Sequence, residues 1–132
     1  MTAPRRIQRR RTAGWRAPLD EHGRTPVYVG RGTRWGNPWA VVRQADSLYG
    51  IPPAESGNPW PTYHLAADAR AEAVRLYRAW LAERPQLIST TRRVLAGRDL
   101  MCWCPDPEPG QPDHCHAAHL LRLANPELED AR

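Results

Sequence analysis

DLMCWCPDPEPGQPDHCHAAHLLRLAN, residues 99–125, decides how this chain is read. A short apolar run opens the stretch and a proline-rich loop follows it. Ala117, Leu120, Leu121 and Ala124 then recur at i, i+3, i+4 and i+7 until Asn125-Pro126 ends the pattern. This predicts a core strand over 99–104, a loop, and an amphipathic helix, a unit of an α/β layer fold. The same stretch holds all three cysteines of the chain and three of its five histidines.

Upstream, Leu87, Ile88, Thr91, Val94 and Leu95 form a helical stripe with Gly97 placed as its cap. Before it, Leu65, Ala69, Ala73, Leu76, Tyr77 and Trp80 share one face of a helix over 65–83 that Arg84-Pro85 ends. PVYVG (26–30) reads as a short strand, and WAVV (39–42) as a second. Residues 44–63 are rich in Pro, Gly and Ser. They repeat at 57–60 the GNPW of 36–39, which reads as a surface insertion rather than a repeat architecture. The expected fold is therefore α/β: a small single-domain layer fold with a short sheet and about three helices. A basic arm spans 1–16, and the domain spans 17–132 with its insertion at about 44–63.

With 132 residues the chain has room for one core. No run approaches the roughly 18 apolar residues of a membrane span, and the opening MTAPRRIQRR lacks the apolar stretch of a secretory signal, so a cytoplasmic protein without a membrane partner is expected. An odd number of cysteines, reduced in the cytosol, argues against a disulfide framework. The net charge of +5 comes from arginine alone, because the chain has no lysine. Arg5, Arg6, Arg9, Arg10, Arg11 and Arg16 all precede the first acidic residue, Asp20; such an arm attracts phosphate or is a solvated tail.

The cysteine–histidine cluster admits three readings. Zinc would take Cys102, Cys104, Cys115 and either His116 or His119, three sulfurs and one nitrogen. Two residues on an extended strand span about 6.6 Å, whereas two sulfurs on one zinc sit about 3.8 Å apart, so zinc requires the strand to bend at Trp103. A reactive site would use Cys104, at the carboxyl end of its strand, with Cys115 and His116 at a helix start where Asp113 caps and a thiol ionises readily. In the third reading, Cys102 and Cys104 are small buried hydrophobes and the histidines pack at the core edge.

A second candidate site is RGTRWGNPW (31–39). Arg31 and Arg34 offer charge, Trp35 a stacking plane, Gly36 a tight turn and Asn37 an amide for a base edge, while Trp39 is expected in the core. Together these residues predict a nucleotide or nucleic-acid partner; the alternative is a tight turn that tucks Trp35 and Trp39 into the core with solvated arginines outside.

RIQRRRTAGWRAP, VYVGRGTRWGNPW, ARAEAVRLYRAWL, LAGRDLMCWCP and CHAAHLLRLAN together resemble a family known as domain-of-unknown-function family 4326, found in bacteria and their phages. The resemblance runs from Arg6 to Asn125. It implies a site made of Arg31, Arg34, Trp35, Gly36, Asn37, Cys102, Cys104, Cys115 and His116, and it implies no reaction. The insertion at 44–63 and the loop at 106–113 are longer than the family pattern. The strand-Cys-loop-Cys-His-helix order also resembles another uncharacterised α/β group, family 488, which by analogy favours a nucleotide-type fold.

The sequence thus points to a small protein that binds a nucleotide or nucleic-acid phosphate at the mouth of its sheet, with the WGNP loop and the Cys104–His116 junction as opposite walls. Transfer or hydrolysis chemistry would fall to Cys104, Cys115 and His116. The alternative is a non-catalytic module, either a zinc-stabilised nucleic-acid binder or a phage-type interaction protein.

Overall fold

Residues 3–44, 48–52 and 61–130 are described by the computed structural model. In chain order the elements are β1 (Arg6–Gln8), β2 (Val27–Tyr28), β3 (Val42–Arg43), β4 (Tyr49–Gly50), β5 (Thr62–Tyr63), α1 (Ala66–Ala82), α2 (Pro85–Leu95), β6 (Leu100–Cys102), α3 (His116–Ala124) and the single turn α4 (Glu127–Asp130). This is the small single-domain α/β fold expected, with three helices of real length.

β6 is the middle of a parallel sheet in the order β1-β6-β2, with Arg6 and Val27 both in register with Leu100. A strand paired on both edges and covered by helix reads as a continuous apolar run, as Leu-Met-Cys does. Leu100 is completely buried. Beyond the strands, Arg9 N–H donates to Cys102 O at 2.7 Å and Val29 N–H donates to Met101 O at 3.0 Å. Because all three strands are parallel, their carboxyl ends open onto one side, where α/β folds bind ligands.

The basic segment expected as a loose arm supplies β1 instead. Ile7 is buried, and only 4% of the Arg6 side chain is exposed. The RIQ alternation of β1 is hidden in the sequence by the arginines around it. Residues 39–42 are not a strand of this sheet either. β3, which starts at Val42, pairs antiparallel with β4, and β4 with β5, forming a second small sheet. The second GNPW, at 57–60, lies outside the described residues.

α1 buries Ala69, Ala73, Tyr77 and Leu81, while Leu65, expected on its core stripe, is exposed ahead of the first turn. α2 begins on Pro85, whose missing N–H costs nothing at a helix start, and buries Thr91 and Leu95 with Val94 left outside. Gly97 follows with φ +74°, the left-handed conformation that ends helices most cheaply with glycine. α3 packs on β6 and β1 and against α1 and α2, which closes the core around Tyr77, Leu81, Leu95, Leu100 and Leu120.

Candidate functional site

β6 stops at Cys102, and the chain bends at residues 103–104 instead of continuing as a strand. Arg6, from the neighbouring strand, holds this bend. Its guanidinium donates to Cys104 O and to Pro105 O, each at 3.0 Å, and in a fork to both carboxylate oxygens of Asp113 at 2.6 and 2.9 Å. One arginine thereby ties both ends of the proline-rich loop together, the planar fork being what a lysine would lack.

The bend brings together all three sulfurs, those of Cys102, Cys104 and Cys115, within 4.8 Å of one another. Cys102 Sγ and Cys115 Sγ are 3.0 Å apart, and Arg6 Nη1 approaches Cys102 Sγ at 3.7 Å. Neither His116 nor His119 contributes a nitrogen to this group, so the three sulfurs of the zinc set converge without its histidine.

Hydrogen bonds from Cys104 and Cys115 and the Arg6 guanidinium hold the Cys102 thiol far below the usual range. Donating to Cys102 pushes Cys104 up to about 11 and Cys115 higher still. Of the three, Cys102 is the thiol held low, whereas Cys115, where a readily ionised thiol is expected, is pushed up. Cys115 is itself the N-cap of α3 and is buried, and Asp113, expected as the cap, is committed to Arg6.

His116 is buried, with its ring edge against Tyr77 at 5.2 Å between centroids. Its Nε2 lies 2.8 Å from Val29 O; a carbonyl only accepts, so Nε2 carries the proton. Burial holds this imidazole neutral. His119 is pushed down to about 4, by burial and then by Arg78 and Arg122.

In the RGTRWGNPW loop the two tryptophans exchange the roles expected of them. Trp35 is in the core, where its Nε1–H donates to Thr91 Oγ1 at 3.0 Å and its carbonyl accepts from Tyr77 Oη at 2.8 Å. Trp39 is half-buried and lines the cleft described below. Asn37 pins the turn, its amide donating to Ala73 O at 3.1 Å and accepting from Trp39 N–H at 2.9 Å. That amide is therefore spent on the backbone and positions Trp39. A Cβ on Gly36 would lie 3.0 Å from Gly30 O, so glycine is required by the close approach of two chain segments. Arg31 is exposed at the cleft, while Arg34 lies over Trp35 at 5.3 Å and does not line the cleft.

A cleft of about 510 Å³ opens between this loop and the strand ends. The three cysteines and His116 line it together with Asn37, Trp39 and Arg31. Arg11, from the basic arm, and Trp103, at the bend, join them with Tyr28, Arg70 and His114, the last three not marked out by the sequence patterns. The alternation of VYV and the spacing of Arg70 ahead of Ala73 and Val74 were the available signals. Trp103, turned outward by the bend and 38% exposed, is covered by Arg9 at 4.9 Å and Arg11 at 4.7 Å, and Arg9 also lies 5.1 Å from the Tyr28 ring centroid. The basic N-terminal segment thus edges the cleft with stacked guanidinium groups.

Residues 7–126 match the model of a family described as a domain of unknown function (DUF4326). No curated protein and no solved structure matches the chain.

Proposed function

Since the chain belongs to the family described as a domain of unknown function (DUF4326), which names no reaction, we propose a function from the cleft itself: it binds a nucleotide. One observation carries this reading. A half-buried indole, Trp39, stands in a cleft edged by Arg11, Arg31 and Arg70 at the carboxyl ends of a parallel sheet. The indole offers a base a flat apolar face, and the arginines offer phosphate paired N–H donors. The 510 Å³ of the cleft lies in the range of small-molecule sites. A group transfer or hydrolysis on the bound ligand would fall to the cysteine floor, where Cys104 is the one sulfur with partial exposure. His116, fixed by Val29 O, would act there as a neutral ring. The grouping of the three sulfurs favours a second reading, a metal-stabilised module that binds nucleic acid without chemistry.

Calorimetric titration of the full chain with nucleoside monophosphates, inorganic phosphate and a single-stranded oligonucleotide tests both readings. Trp39→Ala should weaken nucleotide binding about tenfold or more, since one stacked base is worth about 1–3 kcal/mol. Arg31→Ala should lower both the affinity and its salt dependence. Equal affinity in the wild type and both variants would sink the proposal. Binding of the oligonucleotide alone would transfer it to nucleic acid.

A further inference from the structure

We propose that Cys102, Cys104 and Cys115 bind one zinc ion at the floor of the cleft, with the fourth coordination position turned toward the cleft. This site stands independently of the nucleotide reading, because its ligands and its test involve the metal alone.

The spacing is that of a single ion. Sulfurs bonded to one tetrahedral zinc at about 2.3 Å lie about 3.8 Å from each other. Here Cys102 and Cys115 Sγ are 3.0 Å apart and all three sulfurs lie within 4.8 Å, so the set brackets the required triangle and needs only small side-chain rotations to meet it. A polynuclear iron–sulfur cluster spreads its cysteines around several metal atoms and would not fit between sulfurs this close.

The backbone is built for this convergence. Cys-x-Cys on a straight strand would hold its sulfurs about 6.6 Å apart, yet β6 ends at the first cysteine and the chain turns at Trp103. The turn is held by the Arg6 bonds to Cys104 O and Pro105 O, and the fork to Asp113 brings up the segment that carries Cys115. Arg6 Nη1, 3.7 Å from Cys102 Sγ, is placed as the outer-shell donor that thiolate ligands commonly have.

Chemistry selects the ion. All three ligand atoms are soft thiol sulfurs, with no carboxylate or imidazole among them, which disfavours magnesium and calcium and suits zinc. Each contact among the three thiols is weak beside a Zn–S bond, since S–H is a weak donor and sulfur a weak acceptor. Coordination replaces these weak contacts with three Zn–S bonds, and the remaining thiol protons pass to solvent. A disulfide would satisfy two of the cysteines and leave the third. Three protein ligands with the fourth position open is the complement of a catalytic zinc centre rather than a closed structural one. All three cysteines line the cleft, so the open position meets whatever the cleft binds.

The test is elemental analysis of the full chain purified under reducing conditions without chelator, before and after equilibration with zinc sulfate and desalting. One zinc per chain is expected, and replacement by cobalt should produce thiolate-to-cobalt charge-transfer absorption with the visible bands of a tetrahedral ion. Cys104→Ser, at the half-buried position, should lose stoichiometric zinc while His116→Ala retains it. In the unaltered chain, alkylation of the cysteines should be slow until a chelator is added, a readout that needs no variant to fold. A chain that stays metal-free after equilibration, full zinc retention by Cys104→Ser, alkylation indifferent to chelator, or a Cys102–Cys115 disulfide in the intact mass would each overturn the site. Loss of nucleotide binding with zinc still bound would leave this site standing and remove only the nucleotide proposal.

Discussion

Replacing Arg6 with methionine should destabilise the chain by about 3 kcal/mol, although a sequence reader would place this residue in a solvated tail. Its side chain is 4% exposed and makes a forked bond to Asp113 and one bond each to Cys104 O and Pro105 O. Breaking a buried ion pair by removing one partner costs about 3–5 kcal/mol, because the other charge is stranded. Asp113 is 24% exposed and can be partly rehydrated, and the Pro105 carbonyl bond is exposed, so the low end applies. Burial alone would weaken the charge on Arg6, yet the bond to Asp113 and the nearby sulfurs raise its pKa, in keeping with a pair that is satisfied in place. At a urea m-value of about 2 kcal/mol/M, the midpoint should fall by about 1.5 M. The decisive measurement is a double-mutant cycle with Asp113→Leu. The two changes together should cost less than their sum, with a coupling energy of at least about 1.5 kcal/mol, since the double variant strands no charge. A coupling below about 0.5 kcal/mol would refute the claim that this pair holds the loop.

Two further outcomes are expected. Leu100→Ala, at a fully buried position on the central strand, should cost about 2–5 kcal/mol, and an unchanged denaturant midpoint would contradict its place in the core. His119 is pushed down to about 4 in the folded chain, whereas the unfolded side chain takes its proton near 6.5. Its contribution is therefore complete above pH 6.5 and is lost as pH falls toward 4; His119→Gln should flatten that part of the stability profile, and an unaltered slope in thermal melts would show that His119 is not its source.

How much of the molecule was legible depended on how local its causes were. The three helices and β6 could be read because periodicity and breakers act within one element: Ala69, Ala73 and Tyr77 recur on one face of α1, Pro85 starts α2, Gly97 follows it, and Asn125-Pro126 ends α3. Residues of the WGNP loop and of the Cys104–His116 junction line one cleft, in keeping with chain order, since strand ends and helix starts in a parallel sheet share one side. β1 and the two-residue strands of the second sheet were illegible, because so few residues carry no period against their charged or proline-rich surroundings.

By itself, then, the sequence determined the α/β layer, its central strand, and the candidate residues for the site. Only the tertiary structure decided which of them meet. Arg6 and Asp113 are separated by 107 positions, and nothing in either neighbourhood marks the other. Trp35 and Trp39 have the same chemistry. Thr91 and Tyr77, on helices distant in sequence, bind the first into the core, while Asn37 sets the second at the cleft. Cys102, Cys104 and Cys115 converge while His116 turns to Val29 O, because a bend held by a remote arginine positions the sulfurs and a remote carbonyl captures the imidazole. Local patterns record the preferences of one element, whereas the partners of a buried polar group are chosen by whichever distant donor or acceptor the packed core brings within reach.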